Sequence, residues 1–548
     1  MTPMNRIQMQ IVWDRLLAVV EEQAQTLVRT AFSTTVREAG DISAGVFDTR
    51  GRMLTQAVTG TPGHVNAMAA SVGFFLQKFP VETLKEGDVL VTNDPWYGTG
   101  HLNDFTVVTP VFRSHHPVAL FAATSHVADV GGLGFGPDGR QVFEEGINVP
   151  MGYLFRRGQA NDVLLEILRA NVRDPRSAIG DLYSLAACNQ AGVDSLLATM
   201  DEFGMDVLDP VGDMIISHSR QAMLEEIRKL PAGQWHNSMR IDGYDEPVDL
   251  VCTLTIDDTG IDVDFAGTSP TASHGINVPL TYTQAYASFG VRCVVGNDIP
   301  NNAGSLDVVR VKAPEGCILN APRPAAVSAR HAVGQMLPDV VLGCLEEPLD
   351  GQVPAEGASC LFGPVFLGGK GFIPGSDSAP FVMNAFYAGG TGARPGKDGL
   401  SCTAFPSGVR STPVEITENT APLIMWRKEF RPDSGGDGEF RGGVGQIMEF
   451  AHADGEAFAC SKMFDRIRHA PRGRRGGESG APARVYVKDG GDLKGMGREI
   501  IPAGASMVLE TAGGGGRGRR QDRAPLAREQ DQLAGLVKHT PNDGQQTE

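Results

Sequence analysis

The sequence predicts a mixed α+β protein of several domains, with β-rich N- and C-terminal parts around a helix-rich middle. Three observations carry this. At about 100–200 residues per domain, 548 residues suggest roughly three or four domains. Helical periodicity is concentrated in 161–229, whereas turn residues and period-two alternation dominate on either side. The 68 Gly and 34 Pro require many tight turns and exclude a helix bundle or coiled coil as the whole architecture.

The elements follow in order. Residues 10–32 read as an amphipathic helix, with Ile11, Leu16, Val19, Val20, Leu27 and Val28 at helical spacing. Ile42–Phe47, the turn Asp48–Gly51 and the run from Met53 form a hairpin, and three strand-like runs follow within 88–130. The middle reads as helices over Val163–Ala170, Gly180–Thr199 and Val211–Lys229, broken at Asp174-Pro175 and Asp209-Pro210. Beyond Gly233, Leu250–Ile256 and Ile261–Phe265 alternate around the turn Asp257–Gly260. Ala332–Leu345 reads as a helix that Pro338 kinks or divides. The resulting division is an N-terminal α/β part (1–160), a helical segment (161–232), a mixed β-rich C-terminal part (233–511) and a Gly/Arg-rich, poorly ordered tail (512–548).

Composition removes several function classes. Lys and Arg total 48 against 65 Asp and Glu, and a net charge of −17 argues against a nucleic-acid binder. Two basic clusters, Arg472/Arg474/Arg475 and Arg517/Arg519/Arg520, read as solvated loops or tail. The eight Cys show no CxxC pair, which fits free thiols in a reducing cytoplasm. Met1–Gln10 lacks the apolar core of a signal peptide, and no apolar run reaches membrane-spanning length. Gly396-Lys397 and Gly369-Lys370 lack the remaining residues of a phosphate-binding loop, and neither a GxSxG elbow nor HExxH occurs. The GxGxxG-like runs from Gly134 and Gly513 do not sit between a strand and a helix, and read as loops.

The chemistry concentrates in residues 87–126. A hairpin centred on His115 places Asp104 opposite His126, and His101 emerges from the same end. Two imidazoles and one carboxylate form a ligand set for Zn²⁺, Mn²⁺ or Fe²⁺ with positions left open for water or substrate. The competing reading is solvated loop residues. Asp94 closes the preceding strand and is a further ligand or a partner of one, while His115 and His116 read as surface turn residues.

Ordered blocks spanning about 30–520 resemble the hydantoinase B/oxoprolinase family. They include Arg37-Glu38-Ala39-Gly40-Asp41, Pro62-Gly63-His64-Val65, Asn93-Asp94-Pro95, His101-Leu102-Asn103-Asp104, Ser125-His126-Val127-Ala128-Asp129 and Glu144-Glu145-Gly146. Further blocks are Asp264–Pro270, Gly389–Gly396 and Gly513–Gly516. The resemblance implies one cytoplasmic subunit of an ATP-dependent cyclic-amide hydrolase of the N-methylhydantoinase or 5-oxoprolinase kind. ATP and Mg would be bound by a separate hydantoinase A-type partner that phosphorylates the substrate. It also implies a divalent metal (Zn, Mn or Fe) on His101, Asp104 and His126, with Glu38 as a fourth ligand. Similar subunits occur in acetone and acetophenone carboxylases, so a ketone carboxylase subunit is the alternative, and a non-catalytic scaffold is a third reading. Two positions depart from the pattern: Ala512 precedes the Gly run, and Phe405-Pro406-Ser407 replaces a more polar stretch. Of the remaining polar residues, His64 in its Pro-Gly loop is an acid/base candidate, and Arg394 in a Gly-rich loop is a candidate grip for a carboxylate or phosphate. Asp264 and Glu415 read as structural.

Overall fold

Alternating side chains between Ile42 and Ala160 build one antiparallel sheet in a computed structural model that describes residues 6–58 and 60–538. Its strands are β1 (Ile42–Phe47), β2 (Met53–Gln56), β3 (Val89–Thr92), β4 (Asp104–Arg113), β5 (His116–His126), β6 (Gly152–Arg156) and β7 (Gln159–Ala160), in spatial order β2-β1-β5-β4-β3-β6-β7. Both faces are buried. Phe105, Val107, Ala119, Phe121 and Ala123 face one core, shared with α1 (Arg6–Thr30) and α4 (Pro175–Glu202), while Val108, Leu120 and Ala122 face another beneath α2 (Pro62–Lys78). This parity has a consequence for the site. Asp104 and His126 share the even-numbered face with Val108 and Ala122, so both point toward α2.

The helices α3 (Asp162–Asn171), α4 and α5 (Asp209–Ile227) fill the middle, and Pro175 and Pro210 fall in the first turns of α4 and α5. A second sheet, β8 (Gly233–Ile241), β9 (Val248–Asp257), β10 (Gly260–Asp264) and β11 (Val309–Lys312), packs with α6 (Leu280–Arg292) and α7 (Leu337–Cys344). Pro338 opens α7 and separates it from a single turn at His331–Gly334, as the proline requires. Two more four-stranded sheets complete the C-terminal part. One has the order β13 (Phe381–Asn384), β12 (Val365–Gly368), β16 (Phe458–Met463), β18 (Met496–Ile501). The other has the order β14 (Leu423–Phe430), β15 (Gln446–His452), β19 (Ser506–Glu510), β17 (Arg484–Val487). The mixed, multi-sheet class is therefore the one the sequence predicts. Among the described residues no helix is long and apolar enough to cross a membrane, and all eight cysteines are free.

The Gly-rich end corrects the expectation of a poorly ordered tail from residue 512. Gly513–Gly516 is buried and interleaves with the segments around Thr391, Gly436, Gly443 and Glu478 through backbone bonds. Gly436 N donates to Gly514 O, Gly514 N to Gly443 O, and Gly516 N to Glu478 O, at 2.8–2.9 Å. The chains lie so close that a Cβ at Gly514 would sit 1.9 Å from Thr391 O, and one at Gly390 would sit 1.8 Å from Gly443 O. Beyond this hub, α8 (Pro525–Leu533) returns to the body, where Arg523 and the buried Asp531 pair at 2.6 Å. Residues 539–548 lie outside the described residues. The basic clusters are likewise drawn in: Arg472 pairs with Glu356 at 2.5 Å, and Arg517 donates to Gly351 O. Many polar backbone groups converge in the hub, and basic side chains supply donors to carbonyls that Gly packing leaves unpaired.

Candidate metal centre

The β4–β5 hairpin pairs Asp104 with His126, the register that the strand–turn–strand pattern predicts. The loop after β3 turns back at Gly98–Gly100 and brings His101 to the same end. Asp104 Oδ1 lies 2.6 Å from His101 Nε2 and 3.0 Å from His126 Nδ1, and the two nitrogens are 3.2 Å apart. All three residues are buried. Hydrogen bonding alone cannot account for this triangle, because two N–H groups aimed at one oxygen would face each other across the third side. A cation facing all three lone pairs can. Donors held about 2.1 Å from an octahedral ion lie about 3.0 Å apart, whereas a tetrahedral ion spreads them to about 3.4 Å. The observed spacings match one face of an octahedron.

The other oxygen of Asp104 is saturated. Oδ2 accepts from Thr99 Oγ1 at 2.6 Å and from the Arg330 guanidinium at 2.6 Å, and it lies 2.9 Å from His64 Nε2. These donors leave Oδ1 alone for the histidine face. His64 reaches Asp104 from the first turn of α2, which corrects the loop placement: Pro62 occupies the start of a helix, where its missing N–H costs nothing. Its Nδ1 lies 3.5 Å from Asp41 Oδ1, which accepts from Thr61 Oγ1 at 2.9 Å.

Arg330 is the residue that sequence reasoning missed. Its Nε donates to Thr99 O at 2.6 Å, one terminal nitrogen lies 3.1 Å from His101 Nδ1, and the guanidinium stacks on Tyr282 at 4.0 Å. Tyr282 fits there because Gly63, Gly100 and Gly334 crowd around its ring and Arg330. Neighbouring Ser328 places its carbonyl 2.9 Å from His101 Nδ1. Glu145 pins that segment by accepting from Val327 N and Ser328 N, both at 2.8 Å, and burial pushes its carboxyl up to about 8. His331 completes the wall and packs against Phe135.

Electrostatics divide the histidines. Burial, reinforced by the Arg330 charge, pushes His101 down to about 4, so it is a neutral donor. Burial and Arg330 also hold His331 well below its usual range. Burial opposes protonation of His64 too, but the Asp104 and Asp41 carboxylates outweigh it and raise its pKa. Asp104 resists burial and stays well below the carboxylate range because His101, His64 and Arg330 surround it.

Three expected participants stand elsewhere. Glu38 is half-buried and pairs with Arg37 at 3.9 Å, and it is not among the three residues whose donor atoms converge. Its backbone precedes the turn that aims Asp41, not Glu38, inward. Arg394 spends its Nε and a terminal nitrogen on Asp398 O, at 3.1 and 2.8 Å, bracing its own loop. Asp94 pairs with Arg323. Glu38→Ala and Arg394→Ala should therefore leave bound-metal content unchanged, which elemental analysis of the purified variants checks.

The site is closed. The cavity beside the cluster is about 20 Å³, the room one water needs. Leu361, Phe386 and Val409 form its cover, and they pack with Ala39 as a small apolar group separate from the main cores.

The sequence model of the hydantoinase B/oxoprolinase family matches residues 5–520. A protein of Pseudomonas sp. (strain NS671), named as the B component of a D-/L-hydantoinase, is 27% identical over 97% of this chain and 93% of its own. 5-Oxoprolinase 1 of Arabidopsis thaliana is 29% identical over 93% of this chain, which spans only 42% of that relative's length. In fold, the chain is similar to the ATP-dependent caprolactamase from Pseudomonas jessenii, with a TM-score of 0.87 at 22% identity, covering 98% of this chain and 95% of that one.

Proposed function

Because the chain belongs to the hydantoinase B/oxoprolinase family, matched over residues 5–520, we propose that it is the metal-binding subunit of an ATP-dependent cyclic-amide hydrolase. The observation that carries this reading is the triangle of His101 Nε2, Asp104 Oδ1 and His126 Nδ1, with sides of 2.6–3.2 Å. Those atoms would hold the ion on one octahedral face, which suits Mn²⁺ or Fe²⁺ better than tetrahedral Zn²⁺. A divalent ion bound there supplies a Lewis acid for the carbonyl carbon under attack.

The chain's own groups supply the rest. Thr99, Arg330 and His64 fix Asp104 through Oδ2, so the carboxylate presents one oxygen to the ion. His64 is raised by its two carboxylates and holds a proton beside the cluster, where the nitrogen expelled from an opened ring needs one. Buried walls exclude bulk water and so strengthen each of these interactions.

Activation is assigned to a partner. An unstrained ring amide is resonance-stabilised, and phosphorylation of its oxygen creates both a leaving group and an electrophilic carbon. The hydantoinase B relative supports a complex with a hydantoinase A-type partner that binds ATP and Mg²⁺. The purified chain should bind metal yet hydrolyse neither ATP nor a cyclic amide, and adding the hydantoinase A-type partner should restore both activities together. Robust ATP hydrolysis by this chain alone would reject the division of labour. Product analysis with ATP, a lactam or hydantoin, a ketone and bicarbonate tests the reaction: ring-opened acid supports the hydrolase, and bicarbonate-dependent ketone turnover rejects it.

A further inference from the structure

Arg330 sits where it can serve the metal-free cluster and the loaded one only in different ways. Its guanidinium is buried, its Nε is held by Thr99 O at 2.6 Å, and its stack on Tyr282 at 4.0 Å prevents withdrawal. One terminal nitrogen donates to Asp104 Oδ2 at 2.6 Å, and the other lies 3.1 Å from His101 Nδ1. Ser328 O lies 2.9 Å from the same His101 nitrogen. An N–H donor and a carbonyl cannot both be satisfied by one ring nitrogen. If Nδ1 is bare it accepts from Arg330, and the ring hydrogen sits on Nε2, which donates to Asp104 Oδ1 at 2.6 Å. If Nδ1 carries the hydrogen it donates to Ser328 O, Nε2 is bare and free to ligate, and Arg330 loses an acceptor. His101 is neutral in both arrangements.

We infer that Arg330 is a positioning residue that keeps the cluster's affinity for divalent cations low, by favouring the non-ligating arrangement of His101 and by adding a fixed positive charge next to Asp104. This rests on the metal-centre reading above. The fixed charge repels an incoming cation through a water-poor interior, where screening is weak. At the same time the guanidinium keeps Asp104 single-toothed, so its two effects oppose each other in geometry and strength. Charge and hydrogen bonding both act against the ion, and only the orientation of Asp104 acts for it.

The test is the dissociation constant for Mn²⁺ alone, measured by chelator competition on the full chain without partner or substrate. Arg330→Gln removes the charge and should bind Mn²⁺ at least tenfold more tightly than the wild type. Equal or weaker binding by a folded Arg330→Gln protein overturns the inference. Should that variant fail to fold by circular dichroism, Arg330→Lys takes its place. Lysine keeps the charge but offers a single nitrogen that cannot serve Asp104 and His101 together, so at least threefold tighter binding is expected and an unchanged constant overturns the inference. Wild-type protein that binds no Mn²⁺, and gains none with either variant, overturns both this inference and the metal-centre reading. Binding by the wild type with no change in the variants overturns this inference alone.

Discussion

His126→Ala should strip the chain of its metal and lower turnover of the reconstituted complex by on the order of a thousandfold, while the subunits still assemble. Losing one of three ligands leaves two donors, His101 and Asp104, on a face built for three. Little else depends on the ring. His126 Nε2 has no hydrogen-bond partner among the described residues, and the ring contacts Phe135 at a centroid distance of 4.9 Å. The strand itself is held by backbone pairing to β1 and β4. Elemental analysis, size-exclusion chromatography with the partner and turnover under saturating ATP together check this. Full metal content, or wild-type turnover, in His126→Ala would exclude the His126 ligand and with it the site.

Gly514→Ala should cost more than about 4 kcal/mol, enough to abolish soluble expression of a domain of ordinary stability. The added methyl would lie 1.9 Å from Thr391 O and 2.2 Å from Thr391 C, and backbone cannot step aside as a flexible side chain can. The control is Gly396→Ala. That glycine has a φ of +71° but nothing within 4 Å of an added Cβ, so only the local conformational cost of about 1 kcal/mol is expected. Urea unfolding of the two variants side by side separates crowding from φ strain. Comparable loss in both would mean that hub packing is not the source of the effect.

The hairpin and its ligands are legible in the sequence because a tight turn fixes register, and register fixes which residues face each other. Asp104 and His126 need only their distance from the turn. His101 follows because three residues cannot carry the chain far. Arg330 carries no such signal. It meets Asp104 across 226 residues of chain, and Ser328-Ala329-Arg330-His331 has no pattern that marks it. Glu38 shares a block with residues of the site, yet the turn after it directs Asp41 inward instead. The Gly513–Gly516 run is illegible for a different reason. Glycine without side-chain partners has the same composition in a solvated tail and in a segment packed backbone against backbone, and only the rest of the fold tells them apart.

That hub also constrains how the chain comes to be folded. Its hydrogen bonds join Gly513–Gly516 to segments near Thr391, Gly436, Gly443 and Glu478, and β19, just before it, is the strand between β15 and β17. During synthesis, the C-terminal sheets must therefore wait with open edges until the last Gly run leaves the ribosome. Pairing this distant in sequence is slow, and exposed edges invite association with other nascent chains. Production of this protein should then be limited by chaperone capacity and growth temperature rather than by the stability of the finished fold.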